Sequence, residues 1–393
     1  MFEIDARDGV ARAGVLHCGH GDVHTPVFVP LASTATVKTL HASEVAELGF
    51  EMVLGNTFHL LMQPGPDYVR ELGGLHDFMG WRGAIVTDSG GYQVFSMGHG
   101  SVAEEIKRRR PPGESRVLSI DEEGVRFRSY VDGSERFMGP EESMAVQAQL
   151  SSDIALAFDE CTPYHADRDY TARSTERTHR WLRRCLEWHD REGSRGQAVF
   201  GIVQGGVYED LREASAGFVS EAAVDGIAIG GTLGRDKEEM RGVVGMTVAH
   251  LPDDPPRHLL GIGEPDDLVH GIGMGIDLFD CAVPTRLARH GMALAPRPDD
   301  RYRYDIRKSE FAQDERPLVE GCPCPTCAAH TRAYVHYLSR AEELTGVRLL
   351  VMHNLAYLAR LVSGAREAIE AGRYGAYRDA TLAGRGPWDA APG

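Results

Sequence analysis

Two sets of side chains in this 393-residue sequence have types and spacings suited to chemistry. The first is Cys322-Pro-Cys324-Pro-Thr-Cys327, which gathers three of the seven cysteines. Thiolates this close together are soft ligands for zinc, and one downstream histidine completes a tetrahedral set. His330, His336 and His353 all follow at workable spacings. A closed sphere of three thiolates and an imidazole has no open position for water, so such an ion is structural. The remaining Cys18, Cys161, Cys185 and Cys281 are scattered, which argues for free thiols rather than a disulfide framework.

The second set ends a series of apolar pulses. Asn56 closes Met52–Asn56, Asp88 closes Ala84–Asp88 and opens Asp88-Ser89-Gly90-Gly91, and Asp159 closes Ile154–Asp159. Gln204 closes Val199–Gln204, Gly230-Gly231 closes Ile227–Gly231, and Asp280 closes Asp277–Asp280. Taken singly, such residues cap helices and turns. At the ends of successive buried strands they bring three carboxylates, two amides and exposed backbone N–H groups to one cavity.

The elements that must position them follow from the pulses themselves. With Val27–Pro30 and His258–Gly263 they form eight short, continuously apolar runs, the mark of strands buried on both faces. Helical stretches at Ala42–Leu48, Thr171–His189, Glu209–Ala223 and Asp266–Met274 separate them. The rhythm predicts an α/β fold, a (β/α)8 TIM-type barrel over residues 1–300, with active residues at the C-terminal ends of the strands. A doubly wound sheet is the rival, because periodicity alone does not close a barrel. An antiparallel insertion is expected near 98–138, where Arg126–Phe137 reads as a hairpin turning at Asp132-Gly133. Pro140 then suits the first turn of a helix running through Gln149. A zinc-binding subdomain over 301–360 is placed after the eighth strand, a closing helix region over 361–382, and a disordered tail over 383–393.

The composition is ordinary for a globular chain, with 42% hydrophobic and 25% charged residues. A net charge of −16 excludes a protein that coats nucleic acid, but leaves room for a local basic patch. Arg286 to Lys308 is one candidate, with Arg289, His290, Arg297, Arg301, Arg303 and Arg307; Lys107–Arg110 reads instead as a solvated loop. The opening Met1–Gly14 has neither the basic nor the apolar region of a signal peptide, and no apolar run approaches the ~20 residues that cross a bilayer. The cytoplasm is the expected location.

Several longer motifs carry a family resemblance. Thr87-Asp-Ser-Gly-Gly-Tyr-Gln-Val-Phe-Ser96, Phe158-Asp-Glu-Cys-Thr-Pro163 and Gly201-Ile-Val-Gln-Gly-Gly206 resemble bacterial tRNA-guanine transglycosylases. So do Gly55-Asn-Thr-Phe-His-Leu60, Ile276-Asp-Leu-Phe-Asp-Cys281 with Pro284-Thr-Arg286, and the cysteine cluster, in order from about Thr25 to about Leu361. The resemblance implies a (β/α)8 barrel with a zinc-binding insertion near its C-terminus. It implies exchange of guanine at wobble position 34 of tRNAs with GUN anticodons for a 7-deazaguanine, preQ1 above all, in queuosine biosynthesis. By it Asp280 is the nucleophile of a double displacement through a covalent enzyme–tRNA intermediate, and Asp88 is the acid/base residue. The base-binding groups are Asp88, Ser89, Gly90, Gly91, Tyr92 (stacked on the base), Asp159, Gln204, Gly231 and Leu260. Asn56 is expected to partner the ribose or Asp280.

The resemblance also implies two tRNA-binding stretches. One is Gly261, Ile262, Gly263, Glu264, Pro265, Asp266 and Asp267; the other is Thr285, Arg286, Leu287, Ala288 and Arg289. It fixes the ligands of one structural zinc per chain as Cys322, Cys324, Cys327 and His353, and it implies a homodimer with no membrane partner. The family pattern breaks at Thr232-Leu233-Gly234-Arg235, where Leu-Ala-Val-Gly-Glu is usual. That segment borders the wall facing the 7-substituent, so the larger queuine is a rival to preQ1. DNA-modifying relatives share the catalytic aspartates. Non-catalytic partner subunits are expected to lack a nucleophile that Phe279-Asp280-Cys281 retains.

Overall fold

In this computed structural model the described residues are 2–99, 116–231 and 233–389. The first strands, β1 (Phe2–Asp8), β2 (Ala11–Cys18) and β3 (Gly21–Thr25), form an antiparallel sheet. The chain then builds β4 (Val27–Ala32), β5 (Met52–Gly55) and β6 (Ala84–Thr87). It leaves for an antiparallel sheet of β7 (Val117–Ile120), β8 (Val125–Arg128) and β9 (Glu135–Met138). It returns with β10 (Ile154–Leu156), β11 (Ala198–Val203), β12 (Gly226–Ile229), β13 (Arg257–Leu259) and β14 (Leu278–Cys281). Strands β4–β6 and β10–β14 close a parallel eight-stranded barrel, with β14 pairing β4 through Leu278–Val27 to Cys281–Pro30.

Every apolar pulse in the sequence is therefore a barrel strand. The reason they read as continuous is visible in two clusters. Val27, Val29, Met52, Leu54, Ala84, Val86, Ile154, Leu156, Phe200, Ile202, Ala228 and Leu278 fill the barrel interior. Their neighbours Phe28, Val53, Ile85, Ala155, Val199, Ile227, Leu259 and Phe279 face the surrounding helices. Side chains alternate between the two faces, and here both faces are buried.

The expected helices form with modest changes at their ends. Pro140 opens Pro140–Leu150, where the Glu142 side chain accepts the Gly139 N–H at 3.1 Å. Asp167 caps Arg168–Glu192 by accepting the Tyr170 N–H at 2.7 Å. The first three strands carry no pulse that the sequence reading recognised, yet they cover the barrel floor, where Leu16 and Val23 join the interior cluster. Arg12, on β2, reaches Asp277 at 2.5 and 2.8 Å, with both side chains fully buried.

After β14 the chain runs through the helix Val283–Arg289 and the hairpin of β15 (Met292–Leu294) and β16 (Arg303–Asp305). It then enters the cysteine loop, the helices Pro325–Ala329 and Arg332–Arg340, and the long helix Leu344–Glu370. The expected boundary at 360 falls inside that long helix, which packs on β1, β2, β4 and Val283–Arg289. One continuous rod thus serves both as metal-site scaffold and as closing helix. The tail also departs from expectation: Trp388 stands edge-on to Tyr357 at 5.5 Å and its Nε1 donates to the Glu320 carbonyl at 3.2 Å. The contact of half-buried Trp388 with the buried Tyr357 ring outweighs the Gly- and Pro-rich composition there. Lys107–Arg110, Thr232 and residues 390–393 lie outside the described residues. Among the described residues no helix is long and apolar enough to cross a membrane.

Candidate active site

The polar strand ends continue the inward register of the barrel. Asn56 follows Leu54 by two residues, Asp88 follows Val86, Gln204 follows Ile202, and Asp280 follows Leu278. Each is carried over the C-terminal mouth by the same alternation that points its predecessor into the core. Gly230 and Leu260 continue β12 and β13 in the same way, and Leu260 packs against the interior cluster.

Asp88 sits in a cage of neutral donors. Its Oδ1 accepts the backbone N–H of Thr57 at 2.9 Å and of Gly90 at 3.2 Å. Its Oδ2 accepts Gln93 Nε2 at 3.2 Å and the Nδ2 of Asn56. Asn56, expected to partner the ribose or Asp280, here donates to Asp88 through Nδ2 and caps the helix Thr57–Met62 by accepting the His59 N–H at Oδ1. Burial pushes the Asp88 carboxyl up to about 7; the Thr57 N–H opposes the rise and the charge of Asp280 adds to it. Asp280 is buried, with Oδ1 accepting from the Gly261 N–H at 3.2 Å and lying 3.0 Å from His258 Nε2.

Asp159 and Gln204 are bonded to one another, Gln204 Nε2 donating to Asp159 Oδ2 at 2.6 Å. Ser89 Oγ donates to Asp159 Oδ1 at 2.9 Å and itself accepts the Gly91 N–H at 3.1 Å. Burial lifts the Asp159 carboxyl to about 6, against these hydrogen bonds. Gln204 Oε1 is buried with no partner among the described residues, a polar atom left for something else to satisfy. At Gly231, φ is +82° and a Cβ would lie 2.1 Å from Gln204 Oε1, so only glycine fits there. Tyr92 is 45% exposed at the start of the helix Gly91–His99. A carboxyl acceptor, an amide, a backbone N–H and an exposed ring together suit a flat heterocycle with both donors and acceptors.

The second cluster closes away from this rim. His353 Nδ1 lies 3.7, 3.5 and 3.4 Å from the sulfurs of Cys322, Cys324 and Cys327, all four side chains being buried. Ligand distances of about 2.3 Å for sulfur and 2.0 Å for nitrogen give tetrahedron edges of roughly 3.5–3.8 Å, so the set fits a metal of zinc's size. His353 Nε2 donates to the Leu294 carbonyl at 2.8 Å, which leaves Nδ1 as the ligand atom. The rivals are elsewhere: His330 stacks on Tyr334, and His336 bonds the Ile306 carbonyl at 2.8 Å.

The basic stretch is largely neutralised within the fold. Arg303 and Arg301 reach Glu264 at 3.0 and 3.5 Å, Arg307 pairs with Asp305 at 2.8 Å, and Arg297 lies over the Tyr304 ring at 4.8 Å. The loop Gly261–Asp267 is likewise compensated, Lys237 Nζ lying 2.7, 2.6 and 3.0 Å from Glu264, Asp266 and Asp267. Arg286 and Arg289 are different: both are exposed on Val283–Arg289 and neither forms an ion pair with the described residues. Leu233 is buried and Arg235 faces solvent, 3.8 Å from Glu239.

Four working residues escaped the sequence reading. Thr57 and Gln93 hold Asp88. Arg212, fully buried, donates to the carbonyls of Gly206 at 2.8 Å, Val203 at 3.2 Å and Gly230 at 3.0 Å, tying the ends of β11 and β12 together. His258, beneath Asp280, is fully buried. Its signal was present as the single ionisable residue in an otherwise apolar run, His258-Leu-Leu-Gly-Ile-Gly263.

A parallel barrel with two neighbouring aspartates over its mouth, a polar slot beside them and a separate closed Cys3His set able to hold a metal ion defines a class of barrel transferase. The match to the family model described as Queuine tRNA-ribosyltransferase covers residues 7–387. A queuine tRNA-ribosyltransferase of Roseiflexus sp. is 47% identical over 95% of this chain and 96% of its own length. Those of Pelotomaculum thermopropionicum and Symbiobacterium thermophilum are 47% and 46% identical, over 94% and 97% of this chain and 94% and 90% of theirs. The chain belongs to the queuine tRNA-ribosyltransferase family.

Proposed function

We propose that the chain is a tRNA-guanine transglycosylase, a pentosyltransferase that exchanges guanine at position 34 of tRNAs with GUN anticodons for preQ1 in queuosine biosynthesis. The observation that carries this reading is the pair of buried aspartates at the mouth, one anchored through a single oxygen and the other lifted to about 7. Asp280 attacks C1′, forming a C1′–O bond as the C1′–N9 bond breaks and guanine leaves with that electron pair. Asp88 gives a proton to the departing base, then takes one from the incoming base, whose nitrogen displaces the Asp280 ester. Two inversions give net retention, as in retaining glycosidases. A carboxyl poised near neutrality suits both of Asp88's duties.

Asp159, Gln204 and the Gly231 N–H read the edge of the base, Tyr92 stacks on it, and Leu260 covers it. Arg286 and Arg289 supply the cations for the anticodon that the acidic body lacks. The Cys3His set holds one structural zinc, the enzyme acts in the cytoplasm, and it works as a homodimer.

The test is incubation with tRNA and labelled guanine, preQ1 or queuine, followed by mapping of the labelled nucleotide. Label at position 34 from preQ1 is expected. Label from queuine alone would shift the reading to salvage, the alternative that the divergence at Thr232–Arg235 leaves open, and label in DNA would replace the substrate class. Asp280→Asn should abolish exchange and the denaturant-resistant tRNA adduct; an adduct that persists would remove Asp280 from the nucleophile's role. Cys324→Ser should lose the zinc at a cost on the order of several kcal/mol in stability, and a full equivalent retained would show the ligand set to be wrong.

A further inference from the structure

His258 lies directly below Asp280 in a barrel interior otherwise filled at that level by Phe200, Ile202, Ala228 and Leu278. Its side chain is fully excluded from solvent. Nε2 is 3.0 Å from Asp280 Oδ1, and Nδ1 has no hydrogen-bond partner among the described residues. A carboxylate only accepts, so the ring proton sits on Nε2 and is donated upward; nothing holds it on Nδ1. Oδ1 therefore receives two donors, His258 Nε2–H and the Gly261 N–H at 3.2 Å, while Oδ2 receives none from the described residues.

From this asymmetry we infer that His258 is a positioning residue that fixes Asp280 by Oδ1 and leaves Oδ2 as the oxygen that bonds to C1′. The inference rests on Asp280 being the nucleophile. When Oδ2 forms the ester, Oδ1 changes from a carboxylate oxygen to the ester carbonyl, and it can keep both donors throughout. The imidazole reaches no substrate atom; it acts only through the orientation of the carboxyl group. A polar ring in an apolar barrel that makes a single hydrogen bond is otherwise a cost to folding with no structural return.

The experiment uses the full-length enzyme and single-turnover formation of the tRNA adduct, with tRNA Kd and Tm measured alongside. His258→Leu removes the donor and should slow adduct formation by about 10- to 100-fold with tRNA Kd unchanged. His258→Gln, which can again present an N–H to Oδ1, should recover most of the rate. His258→Phe fills the space without a donor and repeats the measurement if the leucine variant melts early. An unchanged rate in the leucine variant, or equal slowing in leucine and glutamine variants, overturns the positioning role. An adduct formed by the native enzyme, lost in Asp280→Asn and undiminished in His258→Leu, overturns this inference alone. An adduct that survives Asp280→Asn overturns the nucleophile assignment and this inference with it.

Discussion

Both ends of the barrel bury aspartates, and the two ends give them different partners. At the floor, Asp277 is met by the Arg12 guanidinium at 2.5 and 2.8 Å and by the Arg257 N–H at 2.7 Å. Asp153 lies 2.8 Å from His20 Nδ1 and 3.2 Å from His76 Nε2, and accepts the Ile85 N–H at 2.7 Å. Burial alone would raise the Asp153 carboxyl, and these partners hold it below its usual value, whereas burial keeps Asp277 above its usual value and the Arg12 guanidinium offsets only part of that rise. At the rim, Asp88 and Asp159 meet amides, a hydroxyl and backbone N–H groups with no cation, and burial lifts them to about 7 and about 6. A carboxylate compensated in place is structural; one held by neutral donors can still exchange a proton or meet a substrate. Burial by itself therefore does not separate a structural aspartate from a working one. The nature of its partner does.

Asp88→Asn breaks the rim's side of the contrast and should have the largest effect. An amide cannot relay the proton, so kcat for base exchange should fall by about 10²- to 10⁴-fold. Stability should move the other way. The Asp88 carboxyl titrates at about 7 in the folded chain against an ordinary 3.8, so the folded state binds the proton more tightly than the unfolded state. Its stabilising contribution is full below the ordinary value and is lost as pH rises through about 7. The variant should thus melt above the native protein at about pH 8, by an amount on the order of a few kcal/mol, and lose that advantage near about pH 4. Parallel melting curves across that window would show that the rim carboxyl is not displaced.

Arg12→Met breaks the floor's side. Removing one partner of a buried ion pair leaves Asp277 uncompensated, at a cost of about 3–5 kcal/mol. Thermal unfolding should register that loss, while kcat per folded molecule stays at the native value. Adding Asp277→Asn should restore part of the stability, because the orphaned charge is then gone. A fall in kcat per folded molecule would mean that floor and rim are coupled, and that the division drawn here is too sharp.

The rim was largely legible in the sequence because strand alternation and strand ends are local properties. Asp88, Gln204 and Asp280 stand two residues beyond inward-facing Val86, Ile202 and Leu278, so the pulses that marked the strands also aimed the site. The floor was not legible. Arg12 and Asp277 are 265 residues apart, and the opening reads as polar and mixed in charge because β1 and β3 expose alternate residues. The partners of the site residues were hidden for the same reason. Asn56 holding Asp88, and Arg212 tying Gly206 to Gly230, depend on three-dimensional neighbours that no spacing encodes. The basic stretch misled by counting charges: most of its arginines are already paired, and charge in sequence is not charge available to a ligand.

That last distinction extends the contrast from anions to cations and gives the smallest expected effect. Arg286 and Arg289 form no ion pair among the described residues, whereas Arg303 is engaged by Glu264 at 3.0 Å. Arg286→Ala or Arg289→Ala should weaken tRNA binding by about 10-fold and reduce the slope of log K against log salt by about one. Tm and the KM for the free base should hold, since neither side chain supports the fold or the slot. Arg303→Ala should instead lower Tm slightly, by releasing Glu264, and leave the salt slope nearly unchanged. Glu264 keeps Lys237 and Arg301 as partners, so that loss should stay within about 2 kcal/mol. If all three variants shifted the salt slope equally, pairing within the fold would not predict which cations meet the RNA.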